Sequence, residues 1–232
     1  ALIGSSKVAD HLKKQHPKSH RLRAVLGLDA KNAAIVLPDA DLDLTVKECV
    51  LGALSFNGQR CTALKMLLVH RSIVEPFLAR FVAALGKLKV GMPWDEGVNI
   101  TPLPGMHRTA YMTAAIDDAK AKGASVVNEG GGVFCKTLFY PAVLYPVSEG
   151  MQIYREEQFG PIIPVAPFDD LETALDYVIT SEHGQQVSIF GQDPAQIGAL
   201  VDPLVNQVCR VNLNCQCQRG PDTFPFAGRK DS

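Results

Sequence analysis

Ala34-Ile35-Val36-Leu37-Pro38-Asp39, then a helical stretch over residues 44–54, then Leu64-Lys65-Met66-Leu67-Leu68-Val69-His70, decide the fold. The first run is four apolar residues closed by Pro-Asp, which reads as a short buried strand. The last is a second apolar strand. Continuous apolar runs, rather than alternating ones, belong to strands covered on both faces. Between them the helix ends at Phe56-Asn57-Gly58, where glycine breaks it. The same alternation continues outward. Residues 72–88 predict a helix, with Ser72 and Glu75 as a capping box and Ile73, Phe77, Phe81 and Leu85 recurring every fourth position. Leu78, Val82 and Leu88 widen that stripe. An irregular segment over 91–106 carries three prolines, and a helix over 109–122 follows. Strands are expected over 124–127, 142–145, 164–168, 187–190 and 208–213, with a loop at Glu129-Gly130-Gly131-Gly132. Helices are expected over 171–179, capped by Asp169-Asp170, and over 194–201, with Pro203 just past the end. This alternation predicts an α/β fold with a largely parallel sheet covered by helices.

Composition agrees. The chain has 232 residues, 47% apolar and 20% charged, which suits one large domain, or one domain with part of another. Disorder, collagen-like repeats and a disulfide-stapled miniprotein are excluded. With 23 basic and 24 acidic residues the net charge is −1, so neither a nucleic-acid nor a membrane surface is an expected partner. No apolar run approaches the roughly 20 residues that cross a bilayer. No export leader is evident, and a cytoplasmic protein is expected. Six cysteines lack the density of a disulfide framework. Cys215 and Cys217, with Cys209 nearby, have no second pair to complete a four-ligand zinc site, so no metal is expected. Cys49 and Cys135 fall in apolar stretches and read as structural. Both chain ends look cut: residues 1–3 read as the tail of a strand, and residues 228–232 stop in mid-loop.

Phe56-Asn57-Gly58-Gln59-Arg60-Cys61-Thr62 is the sharpest chemical feature. It places a cysteine in a glycine-bearing loop between helix and strand. The Arg60 guanidinium favours a thiolate electrostatically, and glycine lets backbone approach a substrate. Such a sulfur can attack an electrophilic carbon while backbone N–H groups steady the oxyanion. From residue types alone, a buried structural cysteine beside a surface arginine remains the other reading. Ser5 and Ser6 open a basic helix from Lys7 to Lys14, whose N-terminus suits a pyrophosphate, although a plain N-cap explains the same serines. Residues 1–30 carry six basic side chains against Asp10 and Asp29, an excess that fits either a cofactor phosphate or a solvated helix face.

The loop Gly58-Gln59-Arg60-Cys61-Thr62 resembles the nucleophile loop of the aldehyde dehydrogenase superfamily. Four further stretches resemble that family's motifs in its order: Gly4-Ser5-Ser6-Lys7-Val8, Lys31-Asn32 through Asp43, Glu156-Glu157-Gln158-Phe159-Gly160-Pro161, and Asn214 with Pro225-Phe226-Ala227-Gly228. Ser55 to Lys65 and Gln218 to Phe226 are most similar to the non-phosphorylating, NADP-dependent glyceraldehyde-3-phosphate dehydrogenases. The resemblance implies a thiohemiacetal at Cys61, hydride transfer to NADP or NAD, and a thioester released to water. It implies catalytic Cys61 and cofactor contacts at Ser5, Ser6, Glu157 and Phe159. Arg60, Thr62 and Arg219 are expected to hold a small aldehyde substrate, the two guanidiniums taking its phosphate. Arg219 can equally pair with a local carboxylate such as Asp222. The resemblance places Asn214 near the active-site wall, and implies residues 1–29 as part of a cofactor-binding domain, residues 30–232 as a catalytic domain cut before its oligomerisation strand, and a homodimer or homotetramer.

Two departures stand out. The family's general-base glutamate precedes a Leu-Gly-Gly-Lys turn; aligning Lys31 puts Gly27 at that place, and sliding the register puts Val25 there. Such a base contributes about 10²–10⁴-fold. Asp29 is close in sequence but the register points it elsewhere. Glu157 is the candidate catalytic substitute, swinging in once the cofactor leaves. The second departure is length, which implies weak or no activity for these 232 residues alone. A semialdehyde, with the arginines taking a carboxylate, is the rival substrate; a catalytically silent binding module is the rival class.

Overall fold

The computed structural model describes residues 1–220, 223 and 228–232. Its first unit is small: β1 (Leu2–Ile3) and β2 (Leu26–Gly27) pair in parallel across α1 (Ser6–Gln15), apart from the main sheet. The predicted strand–helix–strand follows as β3 (Ala33–Val36), α2 (Leu42–Leu54) and β4 (Met66–His70), with α3 (Val74–Leu85) after it. Next come α4 (Met106–Ala121), β5 (Ser125–Val126), a hairpin of β6 (Phe134–Cys135) and β7 (Leu138–Phe139), and β8 (Ala142–Tyr145). The short α5 (Gln152–Arg155) leads to β9 (Ile162–Phe168), α6 (Leu171–Thr180), β10 (His183–Gly184) and β11 (Gln186–Phe190). Then α7 (Pro194–Leu204), β12 (Arg210–Leu213) and β13 (Arg229–Lys230) complete the order.

One seven-stranded sheet runs β12-β11-β3-β4-β9-β8-β5, parallel throughout except for β5 on β8. The apolar runs are continuous because both faces are buried. Ala34, Val36, Leu67 and Val69 meet Phe77 and Phe81 of α3 on one face. Ala33, Ile35, Met66 and Leu68 meet residues of α4, α6 and α7, among them Met112, Tyr177 and Leu200, on the other. Caps fall where the sequence places them at α6, where Asp170 accepts from the Thr173 amide, and Asp41 closes the start of α2.

Several expectations are corrected. Ser72 caps nothing: its amide and hydroxyl both meet Nδ1 of His70, residues 71–73 form a 3₁₀ turn, and α3 begins at Val74 without a side-chain cap. The imidazole competes for the donors that the capping box needs. Pro203 lies inside the last turn of α7, because buried Leu204 draws the helix onward past one lost hydrogen bond. Residues 228–232 are not loop throughout: Arg229–Lys230 form β13, which pairs antiparallel with β10, and the Lys230 ammonium donates to the carbonyls of Val178, Ile179 and Ser181 at the end of α6. Cys135 is exposed on the hairpin rather than packed; Cys49 and Cys217 are the buried thiols. No helix among the described residues is long and apolar enough to cross a membrane.

Candidate active site

The Phe56-to-Thr62 loop is built from unusual backbone. Phe56, Asn57 and Gly58 have φ of 54°, 59° and 70°, three successive left-handed residues that follow Ser55, the C-cap of α2. Gly58 is required there twice over: a Cβ would lie 2.7 Å from the Ala53 carbonyl oxygen and 2.8 Å from that of Gly160. The Phe56-to-Thr62 loop therefore touches the Phe159-Gly160 segment backbone to backbone. Asn57 is locked from outside, its side chain exchanging hydrogen bonds with the backbone of Thr101. Asn32 fixes the other end, its Nδ2 donating to the carbonyls of Cys61 (2.7 Å) and Ala63 (3.0 Å) while its Oδ1 accepts from the Gln186 amide. Cys61 is half-buried and its thiol is free.

A cavity of about 1600 Å³ opens beside this loop. Eight of the expected site residues reach it: Ser5, Ser6, Arg60, Cys61, Thr62, Glu157, Phe159 and Arg219 all line its wall. They arrive from four separate stretches of chain. Segments before β3, β4 and β9 carry the motifs, so the cleft lies at the amino ends of the parallel strands rather than the carboxyl ends, the commoner place for ligands in open α/β sheets. Sequence reading missed Arg108, Tyr111, His183 and Gln216, which also line the cleft and sit in no motif. Asn214 does not line it; its amide clasps the backbone of Gly191 instead, closing the turn after β12. Pro221, Asp222, Phe224, Pro225, Phe226 and Ala227 lie outside the described residues.

The charges are arranged in a definite way. Arg60 is half-buried; its Nη2 makes one long contact of 3.5 Å to Gln216, and its Nε is buried with no partner among the described residues. Burial pulls its proton affinity down, with the neighbouring Cys61 and Cys217 thiols opposing. Glu157 Oε1 accepts from the Ala30 amide and from the Lys65 ammonium, each at 3.1 Å. Its Oε2 receives no donor among the described residues, and its backbone carbonyl accepts from the Tyr111 hydroxyl. Lys31, fully buried, donates to the Ile153 carbonyl and to Gln158, and desolvation holds it well below the usual ammonium range.

At the N-terminus of α1, Ser5 is a plain cap, its hydroxyl accepting from the Val8 amide. The amide and hydroxyl of Ser6 both donate to Asp29, at 2.9 and 3.1 Å. Asp29 is thus drawn into the site, against its expected direction, and occupies donors that a pyrophosphate would want. Gly27 lines the cleft without a side chain. A second cavity, about 730 Å³ between α3 and the β6–β7 hairpin, is mainly apolar and holds none of the motif residues.

The aldehyde dehydrogenase family pattern matches residues 1–232. The chain belongs to the aldehyde dehydrogenase family. Its relatives include the NADP-dependent glyceraldehyde-3-phosphate dehydrogenase of Streptococcus equinus, 36% identical over 99% of this chain and 46% of that protein. The enzyme of the same name from Zea mays is 37% identical over 88% of this chain and 40% of its own length. Among solved structures, NADP-dependent glyceraldehyde-3-phosphate dehydrogenase from Bacillus halodurans C-125, complexed with NADP, superposes with a TM-score of 0.92 at 34% identity, covering 100% of this chain and 47% of that one. The chain therefore spans about half the length of the aldehyde dehydrogenases it matches.

Proposed function

We propose that this chain carries the nucleophile half of an NADP-dependent aldehyde dehydrogenase acting on glyceraldehyde 3-phosphate. The observation that carries the reading is Arg60: a half-buried guanidinium beside Cys61, facing the cleft, with no carboxylate partner among the described residues. A guanidinium left this way calls for an oxyanion, and a phosphate ester on the substrate supplies one. Arg219, on the same wall, adds a second positive charge.

In this reading the Cys61 sulfur bonds to the aldehyde carbon to give a thiohemiacetal, its oxyanion steadied by backbone N–H groups of the loop. NADP, when bound, supplies the acceptor for the hydride that leaves this carbon, so the thiohemiacetal becomes a thioester. Water then attacks the thioester carbon, releasing the carboxylate and returning the sulfur and a proton to Cys61. The residues facing the cleft fit the cofactor in part. Glu157 offers Oε2 to ribose hydroxyls, and Phe159 presents its ring for the nicotinamide. Ser5 and Ser6 offer the N-terminus of α1 to the pyrophosphate, but Asp29 must first give up Ser6.

Gly27 leaves the deacylating water without the usual carboxylate, and Glu157 through Oε2 is the proposed base. A Glu157→Gln variant that acylates normally and still deacylates at full rate removes that role. The parent protein is proposed to pair as a homodimer or homotetramer.

The test of the whole reading is NADP reduction by the intact protein with glyceraldehyde 3-phosphate, glyceraldehyde and succinate semialdehyde. Arg219→Ala is expected to lower kcat/KM for the phosphorylated aldehyde at least about tenfold, as for loss of a charge-assisted contact of roughly 1.5–3 kcal/mol, while leaving glyceraldehyde within about threefold. Equal loss on all three substrates rejects phosphate recognition. Absence of any NADP reduction favours a silent relative, which Gly27 would explain.

A further inference from the structure

One charged group at the site is used by none of the steps above. Lys65 immediately precedes β4 and its apolar run Met66 to Val69, and its side chain is 1% exposed. It does not line the cleft, so it touches neither substrate nor cofactor. It stands directly behind the cofactor-facing segment. Its ammonium lies 3.1 Å from Glu157 Oε1, 3.3 Å from the Gln158 carbonyl oxygen and 4.6 Å from the centroid of the Phe159 ring. Three successive residues are thus gripped by one cation. The grip is returned, since the Gln158 side-chain amide donates to the Lys65 carbonyl at 2.8 Å.

We propose that Lys65 is a positioning residue that locks Glu157 and Phe159 in their cofactor-accepting arrangement, anchoring one carboxylate oxygen of Glu157 so that the other is presented to the cleft. The inference deepens the cofactor reading above and rests on it. Fold stability alone gives no reason for a charge at this place, because a buried ammonium loses its hydration and an apolar side chain of similar volume, such as methionine, fills a strand core without that cost. Burial indeed pulls Lys65 below the usual ammonium range, with Glu157 the main opposing influence and Cys61 and Asp29 contributing less. The ion pair's product is geometry. A carboxylate free to rotate offers either oxygen in many directions. Glu157, held at Oε1 by both Lys65 and the Ala30 amide, offers Oε2 in one. The cation under the Phe159 ring orients that ring likewise.

The experiment compares Lys65→Met, Glu157→Gln and the double variant in the intact protein. NADP affinity is read by titration calorimetry, and amide hydrogen exchange over residues 157–160 by mass spectrometry. Each single variant is expected to weaken NADP binding about tenfold, and the double variant no more than either single one, because both break the same device. Equal, additive losses would mean that Lys65 acts on the fold at large, and would overturn the proposal. Exchange over 157–160 is expected to quicken in both single variants while α6 stays protected; unchanged exchange also overturns it. If Lys65→Met does not fold, Glu157→Gln breaks the pair from the cleft side and its exchange pattern decides. If the unsubstituted protein binds no NADP, the cofactor reading fails, and exchange alone still judges whether Lys65 holds the segment.

Discussion

A thiol, a guanidinium and a glycine set the residue scale. Cys61 faces a cavity, Cys135 and Cys209 face bulk solvent, and Cys49 and Cys217 are sealed in the core. Brief alkylation at pH 8 followed by peptide mapping is expected to label Cys61 first, Cys135 and Cys209 later, and Cys49 and Cys217 only after denaturation. Labelling of Cys135 and Cys209 ahead of Cys61 would count against Cys61 as the nucleophile. Gly58 offers a backbone test. With φ of 70° and carbonyl oxygens of Ala53 and Gly160 under 3 Å from any added Cβ, Gly58→Ala is expected to destabilise by more than about 1 kcal/mol in urea unfolding. It should also slow labelling of Cys61, since the loop must shift to relieve the contact. At this scale the motif residues were legible in the sequence. Lys65 and Asp29 were not, because partners 93 and 23 positions away leave no mark on a side chain's local string.

Helix starts make the element scale testable. Asp41 and Asp170 accept from first-turn amides of α2 and α6, so truncating either to alanine is expected to cost about 1 kcal/mol. Ser72 carries the same sequence signature but serves His70 instead, so Ser72→Ala is expected to stay within about 0.5 kcal/mol. Measured unfolding midpoints of the three variants check both statements, and a Ser72→Ala loss equal to Asp170→Ala would restore the capping box. Strands announced themselves by apolar runs wherever both faces are buried, as in β3, β4 and β9. The β6–β7 hairpin and α5 escaped notice. They are two to four residues long, and so short a piece carries no periodicity to read.

Buried titrating groups govern the whole molecule. Burial pushes the Cys217 thiol up to about 12 from 9.0, and Cys49 and Tyr177 upward as well. The sign follows: above pH 9 the unfolded thiol ionises while the folded one cannot, so this stabilisation is complete below 9 and is lost as pH rises toward 12. Lys31 and Lys65 act oppositely in the alkaline range, because each is depressed in the fold and its burial becomes less costly once neutral. A comparison of variants isolates the thiol. Cys217→Ser keeps a partner for the Ser188 hydroxyl, 3.3 Å away, and removes the ionisation, so its stability should decline less steeply than that of the unsubstituted protein between pH 9 and 12. Parallel declines in the two would show that the Cys217 thiol ionises as readily folded as unfolded.

Much of this protein can be read from its string of residues. Apolar runs bounded by turn residues dictate a doubly covered parallel sheet, since buried strands have no polar face to show. The motifs name the thiol, the carboxylate and the arginines, because chemistry constrains residue type at short range. What the string does not contain is convergence. That Ser5, Cys61, Glu157 and Arg219 share one cleft, that Asp29 reaches Ser6, and that Lys65 stands behind Glu157 are consequences of β3, β4 and β9 lying side by side. Contacts between distant segments are created by packing, whose free energy belongs to the assembled core and to no single stretch of chain.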